Sequence, residues 1–273
     1  MRIKVNFTTE KLPILYRHRF MALIKEALKS SDKNYKDRLY PDKALNREVV
    51  KPFSFSILMP AEKTIEKEKI FFEDRVSVED TVFYFPLGSF ISLLISSSDY
   101  EFIMNLYNGL LQMKSFEFNR EIMLKLHKVY VINEKKINTD EVIFKTLSPI
   151  LLEDKNNKPI LHDFLNESKH SNSIYYPQSI FNQHFSQIHR SILKDLRGEG
   201  LYEPIEFFPV KIKKQVIKHT LKGFREKTGK PYMTFTCFEG CFKLKGDRRD
   251  LQMLYQIGIG LRTGQGFGMV EVV

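Results

Sequence analysis

The sequence predicts an α+β chain of two tandem ferredoxin-like (RRM-like) domains, on three observations. The first half carries strand and helix patterns in the order β-α-β-β-α-β. A polar, charged segment, NEKKINTD, then interrupts the periodicity. The second half runs through the same element types again around a long insertion. With 273 residues and 42% hydrophobic content the chain can fill two cores. The expected domains are 1–134 and 135–273, the latter with an insertion near 153–205 and a glycine-rich loop.

Each element has its own signal. RIKVNFT alternates apolar and polar residues and reads as a strand. From Pro13 onward Leu15, Phe20, Leu23, Ile24, Ala27 and Leu28 recur at helical spacing, and Ser30-Ser31-Asp32 ends that helix. The polar stretch 32–51 reads as a basic loop with a short helix. FSFSILMP is a strand, EKTIEKEK a charged hairpin tip, and Ile70 to Phe72 the returning strand. Val82 to Leu87 is a further short strand. Phe102, Ile103, Leu106, Leu110 and Met113 mark one side of a helix over 100–113, and Ile122 to Ile132 is a strand.

Past the boundary, Val142 to Leu152 is strand-like and Ser179 to Leu196 helical. Glu206 to Leu221 and Tyr232 to Leu244 are long strands, Asp247 to Tyr255 is a short helix, and GMVEVV is a terminal strand.

Net charge is +10 and unevenly spread. Residues 1–60 carry 13 Lys/Arg against 6 Asp/Glu, and residues 205–250 carry 12 against 5. Residues 61–204 carry 17 against 21. Two basic ends around a mildly acidic middle form the footprint of a polyanion binder. No apolar run is long enough for a membrane span, and no basic amphipathic helix offers a membrane anchor. The charged N-terminus lacks a secretory core. Cys237 and Cys241 are the only cysteines, which argues for a reducing, cytoplasmic compartment and against a disulfide framework. Neither they nor the seven histidines form a metal pattern. No aromatic RNP motif is visible, so base stacking on a sheet face finds no support in the sequence.

The sharpest signal is Gly258-Ile-Gly260-Leu-Arg-Thr-Gly264-Gln-Gly266-Phe-Gly268, with five of the 13 glycines within eleven residues. Such a loop can take positive φ and turn backbone N–H groups toward a phosphate, with Arg262 as a forked donor. It precedes a strand and lacks Gly-Lys-Ser/Thr, so it is neither a P-loop nor a dinucleotide fingerprint. The loop residues Gly258, Gly260, Arg262, Gly264 and Gly266 are candidate RNA contacts. So are Lys211 and Lys213 on one strand face, with Lys218 further along. Lys243, Lys245, Arg248 and Arg249, around the turn into the last helix, complete the set.

GIGLRTGQGFGMVEV resembles the C-terminal signature of the repeat-associated mysterious protein (RAMP) superfamily, above all the CRISPR-associated endoribonucleases that cut precursor transcripts inside each repeat. YRHRFMALIKEAL, KTLSPI and PYMTFTCFEGCFKLKGDRRDL resemble that family in the same order. The resemblance implies two ferredoxin-like domains and cofactor-free, metal-independent cleavage that leaves a 2′,3′-cyclic phosphate and a 5′-hydroxyl. It implies CRISPR repeat RNA as partner, with effector-complex subunits and a second copy of the chain as further candidates. A guide-RNA-binding subunit that does not cut is the alternative. The family's site is built on a histidine, a tyrosine and a lysine, yet no histidine lies between residues 19 and 126 here. By position Tyr40 stands for the histidine, Lys51 for the lysine and Lys25 near the tyrosine; His18, Arg38 and Arg47 are alternatives. A nearby cation would have to lower the Tyr40 pKa from about 10 for it to move a proton readily.

Overall fold

A computed structural model of the chain describes residues 1–42, 49–72, 76–165 and 174–273. The N-terminal fold runs β1 (Arg2–Thr8), β2 (Lys11–Pro13), α1 (Arg17–Ser31), α2 (Lys33–Leu39), β3 (Phe53–Leu58), β4 (Thr64–Phe71), β5 (Ser77–Tyr84), β6 (Phe90–Ser97), α3 (Tyr100–Met113), β7 (Ser115–Glu117) and β8 (Met123–Ile132). Its main sheet has the order β3-β6-β1-β8-β7 and is antiparallel throughout. With α1 and α3 as crossovers, that is the ferredoxin-like arrangement. Alternation decides which face is covered. Ile3, Val5 and Phe7 point into a core with Phe20, Leu23, Phe102 and Leu106 of the helices.

The second fold runs β9 (Glu141–Thr146), β10 (Leu161–His162), β11 (Tyr175–Tyr176), α4 (Gln178–Arg197), β12 (Glu206–His219), α5 (Lys222–Thr228), β13 (Met233–Lys245), α6 (Arg248–Ile257) and β14 (Val270–Val272). The sheet order β12-β13-β9-β14, with α4 and α6 as crossovers, repeats the first topology. Its core joins Phe144, Phe181, Phe185, Phe207, Phe242, Leu251 and Leu254.

Several elements depart from the sequence reading. EKTIEKEK is not a hairpin tip: most of it lies in β4, an edge strand whose exposed sides tolerate charge. FISLLISS, absent from the expected set, is β6, an inner strand paired on both sides by β1 and β3. Strand β9 ends at Thr146, short of Leu152. The helix expected over Ser179–Leu196 is present as α4 (Gln178–Arg197), but as the crossover helix of the second fold it belongs to that fold and not to an insertion over 153–205.

Besides the packing of the glycine-rich turn on β3 and α1, the two folds are fastened at two further places. Arg2, 2% exposed, donates from its guanidinium to the Tyr255 and Val270 carbonyls and pairs with Glu271 at 2.8 Å. Beyond the main sheet, β2, β5 and β4 form a small sheet that meets the tip of the β12–β13 hairpin. There Lys218 pairs with Asp80 at 2.6 Å and the buried Arg225 guanidinium lies 4.4 Å from the Phe72 ring centre. Among the described residues, no helix is long and apolar enough to cross a membrane.

Candidate active site and nucleic-acid interface

Three residues far apart in sequence meet where α1, α2 and the entry to β3 converge. Lys25 projects from α1, Tyr40 follows α2, and Lys51 stands two residues before β3. The Lys25 and Lys51 ammonium groups lie 4.7 and 4.6 Å from the centre of the Tyr40 ring, a double cation–π arrangement. Lys51 Nζ also donates to the Leu39 and Val49 carbonyls, both at 2.7 Å.

The Tyr40 hydroxyl is buried and has no hydrogen-bond partner among the described residues. Burial pushes its ionisation well above the ordinary phenol value. The sequence reading required the opposite direction. The cations sit over the ring, where they attract the π-cloud, and burial of the hydroxyl outweighs them.

The glycine-rich segment reaches this cluster from the other end of the chain. A short 3-10 turn, Thr263–Gln265, packs on β3 and α1. A Cβ at Gly264 would lie 2.8 Å from Lys51 Cγ, and one at Gly266 2.9 Å from Phe55 Cε2. Arg17 Nε donates to the Gly266 carbonyl at 3.3 Å. The loop and the Lys51 cluster are therefore one site.

The amides of the loop are largely spoken for. Gly258 donates to Leu254, Gly266 to Thr263 and Gly268 to Pro149. Gly260 donates 2.9 Å to Nε2 of His189, a fully buried residue of α4. The glycines are thus required by positive φ and close packing: φ is +70° at Gly268, and a Cβ there would lie 2.0 Å from the Ile259 carbonyl oxygen. The expected presentation of N–H groups is confined to the few loop amides not so engaged. Arg262, at φ 58°, is held by Glu153 at 3.4 Å and by the Phe235 ring at 4.8 Å. Burial raises the Glu153 carboxyl above its ordinary value, while Arg262 draws it down.

The other candidates lie elsewhere. His18 packs edge-on to Phe72 at 5.8 Å. Arg38 pairs with Glu101 at 2.7 Å, and Arg47 falls outside the described residues. On β12, Lys211 is exposed and Lys213 pairs with Glu239 at 3.0 Å. Lys243 pairs with Glu141 at 3.1 Å, and Lys245 stands opposite Glu206. Arg249 is held by Asp247 at 2.8 Å and lies 3.6 Å from the Tyr202 ring centre. Arg248, exposed, lines a cavity of about 620 Å³ with Lys135 and Lys136. A second cavity of about 620 Å³, beside Leu39 and Val49, shares Ser98 and Met253 with the first. The two cavities adjoin, from Leu39 and Val49 to the start of α6.

Four residues beside the site are not among the sequence candidates. Arg17 and Gln265 fall within the family-like segments and His189 and His219 outside them, and their contacts follow only from the loop's path. His219, buried between Phe235 and Phe267, has its imidazole pushed down to about 3 by burial and by neighbouring Arg17, His18 and Arg262.

The family model described as CRISPR associated protein Cas6, C-terminal, matches residues 132–272. The chain is 26% identical to CRISPR-associated endoribonuclease Cas6 1 of Methanocaldococcus jannaschii over 99% of its own length and 92% of the relative's. A solved structure described as an RAMP protein binding different RNA substrates superposes with a TM-score of 0.69 at 19% identity, covering all of this chain and 99% of the other. A Cas6-related protein from Pyrococcus furiosus gives 0.67 at 17% identity, with the same coverage. At these identities the structures attest the tandem ferredoxin-like fold.

Proposed function

The chain belongs to the Cas6 family, and from that membership we propose that it is an endoribonuclease cutting CRISPR repeat RNA in the cytoplasm. The observation that carries the proposal is the meeting of Lys25 and Lys51 over the Tyr40 ring, with Gly264 of the glycine-rich loop packed against Lys51.

Cleavage needs no metal if the 2′-hydroxyl attacks the adjacent phosphorus and the 5′-oxygen leaves with a proton. The products are a 2′,3′-cyclic phosphate and a 5′-hydroxyl. Lys51, its ammonium placed by two carbonyl bonds, brings positive charge to the phosphorane oxygens as charge builds there. Lys25 adds a second positive charge. Tyr40 is a positioning residue whose ring holds both ammonium groups. With no imidazole in the cluster, proton removal from the 2′-hydroxyl is unassisted near neutral pH, and turnover is slow.

The buried, high-pKa Tyr40 hydroxyl favours one other reading: a family member that holds guide RNA for effector subunits without cutting it. A denaturing gel of labelled repeat RNA, excess protein and EDTA decides. Cyclic-phosphate fragments establish the endoribonuclease, whereas tight binding with intact RNA establishes the binder.

A further inference from the structure

Helices α1 and α3 cover one face of the N-terminal main sheet; on the other, α6 packs over β3 and β6 while the β8 side carries exposed residues, and register fixes what that side displays. Residues paired across strands share a face. Lys4 of β1 pairs with Tyr130 of β8 and Leu94 of β6. Two residues on, Asn6 pairs with Lys128 and Ser92; two further, Thr8 pairs with Lys125 and Phe90. The strand register shifts between Asn6 and Phe7, and His127 sits opposite that irregularity. Its ring stacks on Phe90 with centroids 4.4 Å apart.

Two features set this face apart. Its aromatic groups are accessible: Tyr130 is 38% and Phe90 37% exposed, and His127 is exposed. Its cations are uncompensated: Lys4, Lys125 and Lys128 have no carboxylate partner among the described residues, and none of the three rows contains an acidic residue. By contrast Lys213, Lys218, Lys243, Arg249 and Arg262 are all ion-paired. Lys128 Nζ lies 4.8 Å from the Tyr130 ring centre, so charge and ring form one station. Tyr130 and Phe90 stand four residues apart along β1, about 14 Å at ~3.4 Å per residue.

We propose that this open sheet face binds unpaired RNA, with bases stacking on Tyr130 and on the Phe90–His127 pair while Lys4, Lys125 and Lys128 take the phosphates. The proposal rests on the reading of RNA as substrate and deepens it: the strand that the enzyme grips here is single. A duplex hides its base faces and offers nothing to either ring. The sequence concealed the platform because its aromatics come from β6 and β8, on either side of β1, and form no contiguous motif.

The test is fluorescence anisotropy with a labelled oligouridylate, alone and annealed to oligoadenylate. Tyr130→Ala and Phe90→Ala are expected to weaken single-strand binding by about fivefold to a hundredfold each. Tyr130→Phe, which keeps the ring, stays near wild type. Lys128→Gln lowers the slope of log affinity against log salt by about 0.7. Duplex binding is unchanged by Tyr130→Ala. Wild-type failure to bind the oligouridylate, or equal affinity of wild type and both alanine variants, overturns the platform. So does equal loss for strand and duplex. Repeat-RNA cleavage on the gel above is scored separately. Cleavage with indifferent alanine variants removes the platform alone, whereas wild type that binds no RNA removes the functional reading with it.

Discussion

Acidification should loosen the glycine-rich segment through one imidazole. His189 is fully buried; its Nδ1–H donates to the Phe185 carbonyl at 2.7 Å, and Nε2 accepts the Gly260 N–H at 2.9 Å. Burial pushes its pKa from 6.5 down to about 4. In the unfolded chain the ring takes a proton near pH 6.5; in the folded protein it refuses one until about pH 4. Between these values the unfolded state binds more protons, so stability is full above about 6.5 and falls as pH drops toward 4. At about 1.4 kcal/mol per pH unit, roughly 3 kcal/mol is withdrawn by pH 4. The comparison is His189→Gln, whose amide oxygen can still accept from Gly260 but cannot titrate. Guanidinium unfolding at about pH 7 and about pH 4.5 should show the wild type losing about 2 to 3 kcal/mol more than the variant. His219 and the carboxylates titrate in both proteins, so the difference isolates His189. Equal losses would refute the reasoning and mean that the imidazole is not held neutral by its burial.

Lys51→Ala should lower the single-turnover cleavage rate of repeat RNA at least tenfold while changing affinity by less, read from rates at saturating protein. Tyr40→Phe should leave that rate near wild type and raise Tm slightly, because the lost hydroxyl is buried without a partner; a large rate loss would restore the phenol as a proton carrier. Gly268→Ala should cost about 3 kcal/mol or more in denaturant unfolding, because φ is +70° and the added carbon meets the Ile259 carbonyl.

Helix α3 was legible because its signals agree: four buried apolar residues at helical spacing, and Asp99 capping the Phe102 N–H at 3.1 Å. Strand β6 was not, since FISLLISS is buried on both sides after Phe90, Ser92 and Ser96 included, and lacks the alternation with charged or strongly polar residues that marks a half-exposed strand. Polarity marked EKTIEKEK as a turn, yet an edge strand exposes charge equally well. Tyr40, Lys51 and Lys25 were visible through family resemblance, which gave their places but not the direction of the Tyr40 shift. That direction depends on burial of one oxygen, a property of three-dimensional packing. His189 was discounted for lack of metal spacing; its role lies in a bond to Gly260, 71 residues away.

The double fastening of the two folds has a consequence for how a ligand arrives. Pinned by Arg2 at one contact and by Asp80 and Phe72 at another, the halves are expected to move little against each other. Such a receptor is finished before it is filled. The entropy lost on association then falls on the incoming strand rather than on the protein, and encounter is governed by diffusion and attraction of opposite charges rather than by waiting for a gate to swing.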